Sequence, residues 1–436
     1  MPKQVRHDIK KITAFYYPRN DHYMLKMIKH QAGRAFPALM QNNFRIFFAG
    51  QLISLIGTWM QITAEQWLVY PVLTNSKILL GLVGVAANLP TTLLVLFTGV
   101  FADRVDKKKI MYLTSTLFMV YALALSLLIW TNNINIWLVL LFALLNGITF
   151  AFEMPARLAF IVETVENKEA LGSAISLNSA AWNIARTIAP PIAGLLIATV
   201  GLAVCYFFNA LSFLAFILSL SLIRLAPYKK PVLAQSLFYH FKEGVMFVLK
   251  RREISLLLLS LIAFSVFSFS FTTLLPVYTN DIFHADEKVF GLLGAAIGLG
   301  ATLGALCFSL LFTNNPNKKQ LLIYLTLASF IFLSVFAFST NLLVSLLVLI
   351  FTSFCASHMI ASINTQIQLA APDALRGRIM SFYSLVFVGS MPLGSLYAGV
   401  TAHFIGAPLT VFIGVLISSI SMIIIFSKLS LSTQKF

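Results

Sequence analysis

Apolar residues along this chain gather into long runs separated by short segments that hold most of the charge. A helix needs roughly 20 such residues to cross a hydrocarbon core at about 1.5 Å per residue, and lipid leaves no backbone polar group free to go unpaired. Runs of this kind predict spans near 46–70, 79–102, 110–130, 136–154, 174–200, 203–223, 254–276, 289–313, 321–339, 342–364, 379–402 and 408–427. The expected fold class is an all-α membrane protein with twelve transmembrane helices.

Composition agrees. Of 436 residues, 59% are hydrophobic and only 11% charged, where a soluble chain carries about 25% charged residues. A net charge of +16 would ordinarily raise nucleic acid as a partner. The placement of the charge argues against it. With a cytoplasmic N-terminus, 28 Lys and Arg residues fall on inner segments, Lys77 and Lys288 fall outside, and Arg186 lies within a span. Basic flanks are retained on the cytoplasmic side, so both termini are expected there and the basic balance reflects topology. Cys205, Cys307 and Cys355 lie in apolar runs without disulfide or zinc spacing, so neither a metal site nor a cofactor is expected. The first 43 residues show no leader with a cleavage site. Their Lys and Arg, mixed with Phe15, Tyr16, Tyr17 and Tyr23, suit either a segment lying on anionic head groups or a disordered tail.

The longest connection, Arg224 to Glu253, carries Pro227, Lys229, Lys230 and Pro231 and then an amphipathic stretch from Phe238 to Arg252. It divides the chain into a cytoplasmic extension (1–43), a six-helix bundle (44–224), a linker (225–253), a second six-helix bundle (254–428) and a cytoplasmic tail (429–436). The halves share phrases. Glu169, Ala170 and Leu171 parallel Asp373, Ala374 and Leu375, and Ala193 and Gly194 followed by Gly201 parallel Ala398 and Gly399 followed by Gly406. Two matches in register predict an internal duplication, an architecture in which two bundles rock about a midplane site.

Between spans 2 and 3 stand Gly99, Ala102, Asp103, Arg104, Asp106 and the basic run Lys107, Lys108 and Lys109. This closely resembles the cytoplasmic loop signature of the major facilitator superfamily, with Asp106 where that family often has glycine. The carboxylate of Asp103 can meet a neighbouring helix N-terminus, and Arg104 can pair with a carboxylate such as Glu153 at the inner end of span 4. The resemblance implies a cytoplasmic gate of Gly99, Asp103, Arg104, Glu153 and Arg157 that latches the outward-facing state; plain anchoring of helix ends is the alternative. In span 5, Ala189, Pro190, Pro191, Ile192, Ala193 and Gly194 are similar to the superfamily's antiporter pattern, with two glycines replaced by Ala189 and Ala193. Pro190, Pro191 and Gly194 are expected to kink that helix and let a neighbour approach. Pro155-Ala156-Arg157 in loop 4–5, and Leu375-Arg376-Gly377-Arg378 with Pro392-Leu393-Gly394, resemble the enterobactin-exporter and macrolide-efflux branch over about residues 44 to 428. That likeness implies the major facilitator fold of two pseudo-symmetric bundles, a multi-pass location in a plasma membrane, specifically a bacterial inner membrane, and a monomer in the lipid bilayer.

Two charges sit well inside predicted spans, Glu65 in span 1 and Arg186 in span 5. A bare charge at the bilayer centre costs about 2.5–3.5 kcal/mol on insertion scales, so such residues face cavities and find partners. Asn178, Trp182 and Arg186 recur every four residues with Asn183 beside them, which puts Arg186 in reach of an anionic or oxygen-rich substrate. Glu65 shares its helix with Gln61, and a carboxylate removed from water holds a proton more readily, which suits exchange of proton for substrate. A structural pair between spans 1 and 5 is the other reading. His358, on one face with Ser362, serves either as a second proton site or as a hydrogen-bonded packing residue. Phe264, Phe267, Phe269 and Phe271 interleave with serines in span 7, as a substrate wall or a lipid face. The glycines of span 8, Gly291 to Gly304, are expected to permit close helix contact.

The function these features predict is secondary active transport, a proton-coupled exporter of a small organic molecule such as a siderophore-like metabolite or a drug. A lipid flippase or proton-coupled importer shares the fold. An intramembrane enzyme is the remote alternative, for the chain holds no HExxH pair or phosphate-cradling Gly-Lys loop.

Overall fold

A computed structural model describes residues 36–225, 246–313, 318–372 and 375–428. The basic extension before residue 36, the linker residues 226–245 that include most of the stretch read as amphipathic, Asp373, Ala374 and the tail from 429 lie outside the described residues.

Among the described residues, twelve long helices form where the apolar runs predict them. In the first half they are α1 (Asn42–Trp67), α2 (Lys77–Arg104), α3 (Lys107–Trp130), α4 (Ile136–Thr164), α5 (Leu171–Thr199) and α6 (Leu202–Leu222). In the second they are α7 (beginning as Arg252–Ala263), α8 (Glu287–Thr313), α9 (Lys318–Phe338), α10 (Leu342–Ala370), α11 (Arg376–Ile405) and α12 (Ala407–Lys428). Among the described residues, eleven are long and apolar enough to cross a membrane. The exception is α5, whose serines, Asn178, Asn183 and Arg186 lower its hydropathy. It runs unbroken through Pro190, which is buried, and Pro191, and both lie against Gly291 of the other half.

Several helices outlast their predicted spans because polar residues extend them. α4 continues through Pro155 to Thr164, so Pro155, Ala156 and Arg157 are helical rather than part of loop 4–5. The turn between α2 and α3 is closed by Asp106, whose side chain caps α3 by accepting from the Lys108 N–H at 2.9 Å. The residue that departs from the family pattern thus serves as the N-cap of α3.

The helix pairings repeat across the halves. In the first, α2 packs on α4, α1 on α5 and α6, and α3 on α4 and α6; in the second, α8 packs on α10, α7 on α11 and α12, and α9 on α10 and α12. Between halves, α2 lies on α11 and α8 on α5, a pairing that exchanging the halves maps onto itself. The glycines of the sequence repeat mark these contacts. A Cβ on Gly399 would stand 2.6 Å from the Lys77 carbonyl oxygen and 2.9 Å from Gly81 Cα. One on Gly194 would strike the Glu287 carbonyl and Gly291. Lys77 and Glu287 open α2 and α8, and Gly81 and Gly291 each follow four residues later. The repeat also recurs in the backbone: Gly201 (φ 106°) and Gly406 (φ 81°) both take the left-handed region at the turn into the last helix of their half.

α1 and α7 end alike. α1 passes into a wide π-type segment, Leu68–Thr74, around Pro71. α7 is irregular for longer: π turns at Phe264–Ser268, a 3-10 stretch at Phe269–Leu274, and a further π segment at Tyr278–Ile282 beyond Pro276. Irregular backbone at membrane depth is tolerated where protein covers it or a cavity adjoins it, and this stretch of α7 borders the cavity described next.

Candidate functional site

A cavity of about 580 Å³ lies between the bundles. The first half supplies Trp59, Gln61 and Glu65 from α1, Asn88 from α2, Glu153 and Arg157 from α4, Asn178 and Trp182 from α5 and Asn209 from α6. The second supplies Ser265, Phe269, Ser270 and Thr272 from the irregular part of α7, and Met391 and Ser395 from α11.

The polar wall is partly paired within itself, while Trp59 Nε1, Ser265 Oγ and Arg157 Nε and Nη1 have no hydrogen-bond partner among the described residues. Gln61 Oε1 accepts from Asn209 Nδ2 at 2.6 Å, and Asn178 Oδ1 accepts from Gln51 Nε2 at 2.6 Å. Arg157 pairs with Glu153 one turn earlier on α4, and its guanidinium lies 5.8 Å from the Trp182 ring centroid. Glu65 differs: it is half-buried, lines the cavity, and makes no hydrogen bond or ion pair among the described residues. Tyr206 on α6 is close enough to feel its charge.

Of the predicted transport residues, Glu65, Gln61, Asn178 and Trp182 meet at this cavity, whereas Arg186, Asn183 and His358 form no part of its wall. Arg186 instead donates from Nη2 to Asn183 Oδ1 at 3.0 Å, and its carbonyl abuts Gly298 of α8. Helical drift accounts for this. Four residues advance an α-helix by about 400°, so each step turns the side chain about 40° and two steps carry Arg186 about 80° away from Asn178. His358 is fully buried among Phe354 and Phe308, with Nδ1 donating to the Phe354 carbonyl at 3.0 Å, the packing alternative.

The expected pairing of Arg104 with Glu153 does not occur. Glu153 is taken by Arg157, Arg104 is exposed at the end of α2, and the side chain of Asp103 lies outside the described residues. The positive charge on the cavity wall is therefore Arg157, which looked like a loop residue because Pro155 and two charges interrupt the apolar run. Asn88, Asn146 and Asn209 also line the cavity and were missed; their one sequence signal is an amide within an apolar helix. The phenylalanines of α7 do not form a lipid face: Phe269 meets the cavity, and Phe264 and Phe271 are buried.

The bundles close together on the face opposite the one where α1 begins and α12 ends. Trp67 stacks on Phe290 at 5.4 Å between centroids, Tyr70 donates to Asp281 Oδ2 at 2.7 Å, and Lys77 reaches the same carboxylate at 3.6 Å. Below this layer the α2–α11 contact runs on to Thr92 and Gly389, and the α5–α8 contact to Thr187 and Thr302, whose hydroxyls lie 3.0 Å apart.

Residues 33–435 match the family described as transmembrane secretion effector. The chain is 27% identical to a staphyloferrin A transporter of Staphylococcus aureus, across 90% of this chain and 98% of that one. It is 25% identical to the multidrug efflux pump Tap of Mycolicibacterium fortuitum, across 83% and 89%. Its fold is similar to a bacterial homologue of the lysosomal transporter Spinster solved in an inward-facing, unoccupied conformation, with a TM-score of 0.69 at 13% identity across 89% of this chain and 97% of that one. Helix count, paired halves, central cavity and family match agree: this chain is a multi-pass membrane transporter of the efflux type, not an enzyme, and belongs to the transmembrane secretion effector family of the major facilitator superfamily.

Proposed function

We propose that the chain is a proton-coupled exporter of a small organic molecule, working by alternating access between the halves 44–224 and 254–428. One observation carries this reading: an unpaired carboxylate, Glu65, stands in a cavity that cross-bundle contacts close on the face opposite the start of α1. A lone carboxylate inside a membrane protein is costly unless it is protonated or meets a ligand, which makes it a natural point of exchange. The charge distribution supports cytoplasmic termini in a bacterial inner membrane, so the closed face is the outer one and the cavity faces inward. Gly99, Asp103, Arg104, Glu153 and Arg157 are then the cytoplasmic gate in its released state, and Pro190, Pro191 and Gly194 let α5 slide on α8. The relatives' names favour a siderophore-like metabolite or a drug as cargo, carried by a monomer.

Glu65→Gln is expected to abolish proton-driven efflux while leaving folded protein in the membrane. Uptake into inverted vesicles under an imposed pH gradient measures it, and undiminished transport by the variant would reject the coupling role. Right-side-out vesicles fix the direction, since an importer would accumulate cargo there.

A further inference from the structure

Among the described residues, the cavity wall carries three formal charges, Glu65, Glu153 and Arg157, and the last two neutralise each other within α4. Arg186, the counter-charge an anion would have used, is off the wall. Nor is Arg157 open to a ligand, because its unpaired Nε and Nη1 are closed off from solvent. What remains is one unneutralised carboxylate in an enclosure with Phe118, Phe150, Trp182, Phe213 and Phe269 on its walls. An anion entering here would meet a net negative wall and no free cation. A cation would gain a counter-charge and aromatic faces, to which positive groups are attracted.

We infer that the cavity selects organic cations: a protonated amine or similar head group binds at Glu65, and an apolar, ring-bearing body lies against the aromatic walls. The inference rests on the exporter reading above and names its substrate class. It also supplies a coupling rule. Cargo and proton compete for one carboxylate, so arrival of the cation sends the Glu65 proton to water, and reprotonation expels the cation. The other ionisable groups facing Glu65 are Tyr206 on α6 and the self-neutralised Glu153–Arg157 pair; the walls from α2, α3, α5, α7 and α11 carry none, and α8 contributes no residue to the wall.

Two probes with the same fluorophore and opposite charge test this, dansylcadaverine (cationic) and dansylglycine (anionic), titrated against the full-length protein in lipid nanodiscs. The cationic probe is expected to bind at least about tenfold more tightly, and its binding to release a proton into a weakly buffered solution. Glu65→Gln should bring the two affinities together and abolish the proton release, whereas Glu65→Asp should keep the preference. The wild-type proton release stands as a readout even where the Gln variant does not fold. Equal affinities, tighter dansylglycine binding, or a preference surviving in Glu65→Gln would overturn the assignment and leave the exporter reading to the vesicle assay. A preference lost in Glu65→Gln without proton-driven transport by the wild type would sink the exporter reading alone.

Discussion

Arg157→Met is expected to destabilise the folded protein by about 3–5 kcal/mol, because it strands the Glu153 carboxylate, 1% exposed, without its cation. A buried ion pair loses more when halved than when removed, since the surviving charge has shed its water and gained nothing. The double variant Glu153→Leu with Arg157→Met should therefore recover most of the loss. Thermal unfolding in detergent reads both, and the ordering is the diagnostic. Single and double variants unfolding at the same temperature would mean that the pair is not a self-contained unit of α4. The same pair explains why α4 can carry two charges beside a cavity in an apolar half: the ions are four residues apart and cancel locally.

The second large effect is conformational. Gly399→Leu should force α11 away from α2, because the added side chain would meet the Lys77 carbonyl and the Gly81 backbone, neither of which can rotate aside. Overpacking a close contact costs about 1–3 kcal/mol, which corresponds to a shift of roughly 5- to 150-fold against the state that makes the contact. That state is the one joined by Trp67 and Phe290 and by the Tyr70–Asp281–Lys77 cluster. Gly194→Leu should act alike, since Gly194 holds the equivalent place against Glu287 and Gly291. Gly172→Ala, with nothing within 4 Å of its added Cβ among the described residues, should shift nothing. Reactivity of a single cysteine at Ser395 on the cavity wall toward an impermeant maleimide, added from each face in turn, reports the shift. Unchanged reactivity in Gly399→Leu would show that the glycine contact does not hold this face closed.

The sequence made the large features readable because lipid imposes them. Uninterrupted apolar runs have no other use at that length, so the twelve helices follow, and glycines kept in register foretell where the halves touch. Glu65 was legible for the same reason: a lone charge within an apolar run has to be lodged somewhere. Arg157 was not, because a charge near a proline looks like the end of a span, and the ion pair that permits it inside the helix becomes visible only once α4 is seen to continue to Thr164. Arg186 was misplaced by treating four-residue spacing as a straight stripe. The irregular backbone of α7 left no mark beyond Pro276, since π and 3-10 turns depend on what packs around them rather than on the residues that form them.

The central claim is that the two halves move as bodies that open opposite faces in turn. Pulsed electron paramagnetic resonance distances between spin labels test it most directly, with one pair at Asn132 and Asn341 and a second at Glu166 and Gly377, after replacement of the native cysteines. Labels at these exposed sites bracket the two faces of the cavity, one label of each pair in each half. Two populations whose distances change in opposite senses, shifted by pH and by Gly399→Leu, are the predicted result. A single distance at both faces, unmoved by either, would contradict it.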